Sequence, residues 1–183
     1  MTNEYSYELK IPKDRVAVLI GKSGEVKKNI EDATKTKIIV DSREGDVFIN
    51  GKDALGLYTC REVIRSVGRG FNPDVALLLL KQDYVFELIS LNEYTGKSKN
   101  TLLRIKGRVI GREGKSRKLI EDLSEAYVSV YGKTVAIIGL PESASMAKRA
   151  VEALLRGSTH ANVYKWLERR RRETKRKRIT EMM

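Results

Sequence analysis

Two stretches of the chain have a spacing suited to gripping a phosphate backbone. "VLIGKSGEVKKNIEDAT" covers residues 18–34 and "RVIGREGKSRKLIEDLS" covers residues 108–124. Each holds Ile-Gly-x-x-Gly, a basic pair three and four residues beyond the second glycine, and then Ile-Glu-Asp. A lone Gly-x-x-Gly carries little weight, because glycine at roughly 7% of residues gives about one by chance in a chain of this size. The extended pattern, repeated with its glycines 90 residues apart, is a strong signal.

The chemistry follows from the residue types. A helix junction bounded by Gly21 and Gly24, or by Gly111 and Gly114, has no side chains at its ends, so another backbone can approach closely. The unpaired N–H groups opening the next helix carry partial positive charge, which suits phosphate. Lys22 and Ser23, or Arg112 and Glu113, project from the turn, and Lys27, Lys28, Arg117 and Lys118 follow one helical turn on. Arg108, Ile110 and Lys115 flank the second copy. Glu113 is the dissonant member: its carboxylate repels phosphate, offset by Arg112 and Lys115. Local charge slightly favours the second copy, with net +6 over residues 104–118 against +4 over 10–28. The alternative reading is a pair of tight helix junctions without a ligand.

Catalytic chemistry finds little material. His160 is the only histidine and follows the last helix of the second repeat, where a capping or surface role is expected. Cys60 is the only cysteine and reads as a small buried side chain, which leaves no disulfide and no zinc set. Glu31-Asp32 and Glu121-Asp122 are adjacent on helices, point in different directions and form no carboxylate pair. No GxxxxGK loop occurs. The expectation is a protein with no enzyme activity and no cofactor.

The elements that position the two turns can be read on either side of them. "YSYELKIP" alternates as a strand, Pro12 restarts the chain as a short helix through Val16, Leu19 and Ile20, and a second helix buries Val26, Ile30 and Ala33. "KIIVD" and "DVFIN" pair around "SREG", and Leu57, Cys60, Ile64 and Val67 line a closing helix. The second copy repeats this β-α-α-β-β-α order. "YVFELISL" is its first strand, the polar "NEYTGKSKNT" a longer loop, and "TLLRIKGRVIG" the helix before the glycines. Ser116, Ile120 and Leu123 stand where Val26, Ile30 and Ala33 do, and Ala147, Val151 and Leu154 line the last helix. Between the copies, Asn72 is expected to cap a short apolar helix with Pro73 at its first position, packed between the domains.

Composition bounds the rest. The chain has 183 residues with net charge +12, of which +7 falls between Lys165 and Arg178. That tail, "NVYKWLERRRRETKRKR", reads as one helix docked by Val163, Tyr164 and Leu167, with arginines in solvent and available to the phosphates of a polyanion. The longest apolar run, Val75 to Leu80, falls far short of the ~20 residues a membrane helix needs, and the acidic, alternating start predicts no export leader. No membrane association and a cytoplasmic location are expected.

"IGKSGEVKKNIED" and "IGREGKSRKLIED", each in β-α-α-β-β-α order, resemble two KH domains of the eukaryotic type. The resemblance implies an α+β chain of two tandem type I KH domains, each a three-stranded antiparallel sheet against three helices, with a basic C-terminal helix. The expected division is 1–70 for the first KH domain, 71–83 for a connecting helix, 84–158 for the second KH domain and 159–183 for the basic helix. It also implies that each turn clamps single-stranded RNA while bases lie against the second strand, at Ile38, Ile39 and Val40, or Val128, Ser129 and Val130, with Ile39 and Ser129 the chosen contacts.

The long loop, "GRVIGREGKSRKLIED" and the basic tail further resemble the archaeal relatives of the eukaryotic ribosome-assembly factor called partner of Nob. That family implies a role in maturing small-subunit ribosomal RNA near its 3′ end, beside a processing endonuclease, and an association with the alpha subunit of initiation factor 2. Its eukaryotic members have typically lost the first Gly-x-x-Gly, which this chain keeps. Two other readings stay open: an adaptor that chiefly docks those proteins, and a general messenger-RNA regulator.

Overall fold

The computed structural model describes residues 5–96 and 98–181; residues 1–4, Lys97 of the polar loop and the last two residues of the tail lie outside them. The chain forms two compact units, 1–86 and 87–183. In the first, strand β1 (Tyr5–Lys10) leads through helix α1 (Lys13–Ile20) and a 3-10 turn (Lys22–Gly24) to helix α2 (Glu25–Thr34). Strands β2 (Thr36–Val40) and β3 (Asp46–Gly51) follow, then helix α3 (Ala54–Gly68). The sheet order is β1-β3-β2, antiparallel throughout, with Tyr7 opposite Ile49 and Ile38 opposite the same residue from the other side. Strand alternation therefore sends Ile38, Val47 and Ile49 toward the helices, where they are buried with Leu19, Ile30, Cys60, Ile64 and Val67. Asp53 caps α3, its carboxylate accepting from the N–H groups of Leu55 and Gly56.

The connecting segment differs from expectation in two ways. Helix α4 (Pro73–Ala76) has Pro73 in its first turn, but Asn72 makes no side-chain cap. A 3-10 turn over Leu77–Leu80 follows in place of a longer helix and packs on α3 of the first unit, with Leu79 buried and the other three leucines half-buried.

The second unit repeats the plan with additions. Strand β4 (Val85–Ser90) is followed by a short helix α5 (Asn92–Thr95) inside the segment expected to be loop, then by helix α6 (Lys99–Ile110). Helix α6 starts earlier than "TLLRIKG" because Ser98 caps it through the N–H of Thr101. A 3-10 turn (Arg112–Gly114), helix α7 (Lys115–Ser124), strands β5 (Tyr127–Tyr131) and β6 (Thr134–Gly139) and helix α8 (Pro141–Leu155) complete the repeat, with sheet order β4-β6-β5. Helix α9 (His160–Glu181) turns back through Gly157 and packs on α7 and α8. Val163 and Leu167 are its buried anchors, as the tail's pattern implied, whereas Tyr164 and Trp166 are half-buried.

One buried position differs from the expected stripe. On α2 the stripe runs Val26, Ile30 and Thr34, at intervals of four, and Ala33 is exposed. Thr34 is tolerated inside because its hydroxyl donates to the carbonyl of Ile30 at 2.7 Å and meets Thr36 Oγ1 at 2.8 Å. Leu123, the counterpart of Ala33, is buried as expected.

Cys60 tests this core. It is fully buried, and burial pushes its thiol pKa up, opposed by hydrogen bonding to Thr36 and Thr34. Since the thiolate is the reactive form, iodoacetamide at pH 8 is expected to label the native chain far more slowly than the urea-unfolded chain. Equal rates would show that the α3–β2 core is open.

Candidate nucleic-acid interface

The two turns have the same backbone. Gly21 and Gly111 lie at φ 74°, with ψ 178° and 175°, a conformation essentially closed to residues with a side chain. Ser23 and Glu113 follow at φ 53° and 54°, and Gly24 and Gly114 at φ 80° and 75°. The paired glycines do different work. A Cβ on Gly21 would sit 2.8 Å from Val26 Cβ, and one on Gly111 2.6 Å from Ser116 Cβ, so these glycines let the turn close against the next helix. At Gly24 and Gly114 a Cβ would meet nothing within 4 Å, so these positions face open space.

The turn uses some of its own donors. The N–H of Gly24 donates to the carbonyl of Gly21 and that of Glu25 to Lys22, with the same pattern from Gly114 to Gly111 and from Lys115 to Arg112. The remaining first-turn amides of α2 and α7 carry the partial positive charge of a helix N-terminus.

Those side chains divide into free and engaged. Among the described residues, Lys22, Lys28, Arg112 and Lys118 are exposed and make no ion pair. Lys27 lies 3.9 Å from Glu31 and Arg117 4.0 Å from Glu121, each one turn along its helix. Glu113 lies 3.4 Å from Lys115, both largely in solvent. Ser116 Oγ is buried beneath the second turn without a partner, where the first copy has Val26.

Arg108 is engaged within the fold. It donates to the carbonyls of Leu154 at 3.1 Å and Ser158 at 2.6 Å, tying α6 to the end of α8. Arg15 does the same in the first unit, donating to Val67 at 2.9 Å and Phe71 at 2.6 Å. His160 joins the second knot: the carbonyl of Arg108 only accepts, so Nε2, 2.8 Å away, carries the proton.

The recurring Glu of Ile-Glu-Asp explains how strand and turn are held together. Glu31 Oε1 accepts the N–H of Ile38 at 2.7 Å, and Glu121 Oε1 accepts that of Val128 at 2.7 Å. These are edge strands, so the carboxylate fixes the strand beside the helix that leaves the turn. Because backbone direction alternates along an antiparallel strand, the outward edge beyond this bond belongs to Val40 and Val130. Both are half-buried on the helix side, as are Ile20 and Ile110 just before the first glycines.

Ile39 and Ser129 do not join this surface. Each is one residue out of phase, on the sheet face away from the helices. Ile39 is 49% exposed beside Phe48, and Ser129 lies opposite Ala136. Val40 and Val130, two of the strand positions the KH resemblance implies, lie on this edge, and Ile20 joins them although the sequence pattern singled out only its counterpart Ile110. The 90-residue alignment of Ile20 with Ile110 was the available signal for Ile20.

Residues 85–172 match the family described as eukaryotic-type KH domain (KH-domain type I), and residues 6–66 match the KH domain family. The chain is 53% identical over 175 residues to the KH domain-containing protein MJ0443 of Methanocaldococcus jannaschii, covering 93% of this chain and 76% of that one. It belongs to the KH-domain family. Within it, this KH protein is related to PNO1 and Dim2. It is 28% identical over 107 residues to the pre-rRNA-processing protein PNO1 of Chaetomium thermophilum, across 56% of this chain and 40% of that one. A chain in the crystal structure of the a/eIF2alpha–aDim2p–rRNA complex from Pyrococcus horikoshii OT3 superposes with a TM-score of 0.86 and 47% identity, covering 93% of this KH chain and 96% of its own length. Among the described residues, no group of three or more His, Cys, Asp or Glu is placed to hold a metal, and no helix is long and apolar enough to cross a membrane.

The division of labour between the glycines gives a prediction. Gly111→Ala is expected to lower stability by about 1–3 kcal/mol from backbone strain alone, with the Ser116 clash added. Gly114→Asn, at a left-handed position that Asn tolerates, is expected to cost under about 1 kcal/mol yet weaken RNA binding. Urea unfolding and RNA titration of both variants check this; equal stability loss in the two would contradict it.

Proposed function

We propose that the chain holds single-stranded RNA at its two Gly-x-x-Gly turns and acts, without catalysing a reaction, in maturation of small-subunit ribosomal RNA in the cytoplasm. The observation that carries this reading is the turn: two copies of one backbone, each with a second glycine facing open space beside exposed, unpaired cations and a helix N-terminus. The strand edges at Val40 and Val130, with Ile20 and Ile110, supply the apolar side against which bases would lie. The relatives support the choice of RNA, since one is a pre-rRNA-processing protein and another is part of a complex containing rRNA.

Helix α9 extends the electropositive surface. With Val163 and Leu167 buried, Lys165, Arg169, Arg172 and Arg176 fall on its solvent side. Each phosphate contact they make with single-stranded RNA would add about 0.7 to the salt slope.

A second, compatible reading is protein docking by the first unit, alongside a processing endonuclease or the alpha subunit of initiation factor 2. Tyr7 and Tyr58 are exposed there, with the Arg61 guanidinium 4.6 Å over the first ring and 5.9 Å over the second. Tyrosine and arginine in such clusters are the residue types that dominate protein interfaces. The name of the P. horikoshii complex, which includes a/eIF2alpha, supports it.

Fluorescence anisotropy with a short single-stranded RNA from the small-subunit 3′ end separates these contributions. Arg112→Asp is expected to weaken binding by tenfold or more, as roughly 1.4 kcal/mol per charged contact implies. Lys22→Asp/Ser23→Asp is expected to weaken it less, and Arg169→Gln/Arg172→Gln/Arg176→Gln to reduce the salt slope by about 2. If neither loop variant changes affinity while binding still collapses with salt, α9 is the RNA contact and the turns are only helix junctions.

A further inference from the structure

The two turns match in backbone to within a few degrees, so whatever distinguishes them lies in their side chains. The first offers Lys22 and Ser23; the second offers Arg112 and Glu113. Glu113 projects into solvent from the most cationic stretch of the body outside the tail, and in the free protein it holds Lys115 at 3.4 Å. A carboxylate at this place accepts hydrogen bonds and donates none. Facing a polyanion, it has nothing to gain from phosphate oxygens. Among backbone groups of a nucleic acid strand, the one donor is the ribose 2′-hydroxyl, which DNA lacks.

We propose that Glu113 is the residue by which the second turn distinguishes RNA from DNA. On binding, the Glu113–Lys115 pair exchanges partners. The ribose 2′-OH donates to a carboxylate oxygen of Glu113, and the freed Lys115 ammonium turns to the adjacent phosphate. The first turn, with the shorter Ser23 at the same φ, lacks this long charged acceptor and discriminates less. The cost of placing a carboxylate beside phosphate is thereby converted into a sugar preference. This inference rests on the reading that the second turn holds an RNA backbone.

The test uses the full chain with Lys22→Asp to weaken the first turn, and one oligonucleotide sequence made as RNA, as DNA and as RNA with single 2′-deoxy replacements. Glu113→Ser is the main variant, since Ser23 shows that this backbone accepts serine; Glu113→Gln keeps the reach and an acceptor but removes the charge. The RNA-to-DNA affinity ratio of the Lys22→Asp chain is expected to fall about tenfold in Glu113→Ser, the loss of one hydrogen bond to a charged group, and by less in Glu113→Gln. One 2′-deoxy position should weaken binding to the parent chain and have no effect on Glu113→Ser. If Glu113→Ser raises affinity for RNA and DNA alike with the ratio unchanged, Glu113 merely repels and the inference is wrong. If the Lys22→Asp chain binds no RNA while the unmutated chain does, the second turn holds no backbone, and that more basic reading fails with it.

Discussion

The absence of a side chain on Gly21 and Gly111 is the constraint on which the rest of each unit depends. At φ 74° and ψ near 180° these residues let the chain reverse between two helices so tightly that the first turn of the second helix touches the glycine itself. The contact fixes where α2 and α7 begin. It therefore fixes where their first-turn amides point and where Gly24 and Gly114 leave open space. A side chain at the first glycine would press on the following helix, whereas one at the second would project into open space.

Two sets of polar contacts make that corner rigid. Arg15 and Arg108 reach from the helix before each turn to carbonyls at the end of each closing helix, one bond in each pair being only 2.6 Å long. Glu31 and Glu121 reach from the helix after the turn to the edge strand. Together they tie turn, strand and closing helix into one piece, so that a bound strand would meet a preformed surface and lose less in ordering it. The second unit adds α9, whose apolar side holds it to α7 and α8 and whose other side adds cations.

Much of this was legible in the sequence because it was written twice. The repeated Ile-Gly-x-x-Gly with its basic pair and Ile-Glu-Asp located both turns and the element order around them, and the burial of Leu57, Cys60, Ile64 and Val67 followed from helical spacing. What was not legible has physical causes. Strand alternation alone does not say which parity faces the helices, and it is Ile38 and Val40, not Ile39, that share the helix side. Arginine looks the same in sequence whether it reaches phosphate or a carbonyl, so Arg108 could not be separated from Arg112 without the positions of Leu154 and Ser158. Likewise Glu31 and Glu121 read only as surface acids, because their strand partners lie seven residues away across a turn.

The most direct test of the central claim is an amide-resolved NMR titration of the intact chain with a short single-stranded RNA. The account predicts that the first amides to shift lie at residues 22–28 and 112–118, together with the strand edges around Val40 and Val130, and that Ile39 and Ser129 respond less than their neighbours. Shifts confined to helix α9, with both turns and both strand edges silent at saturation, would contradict it.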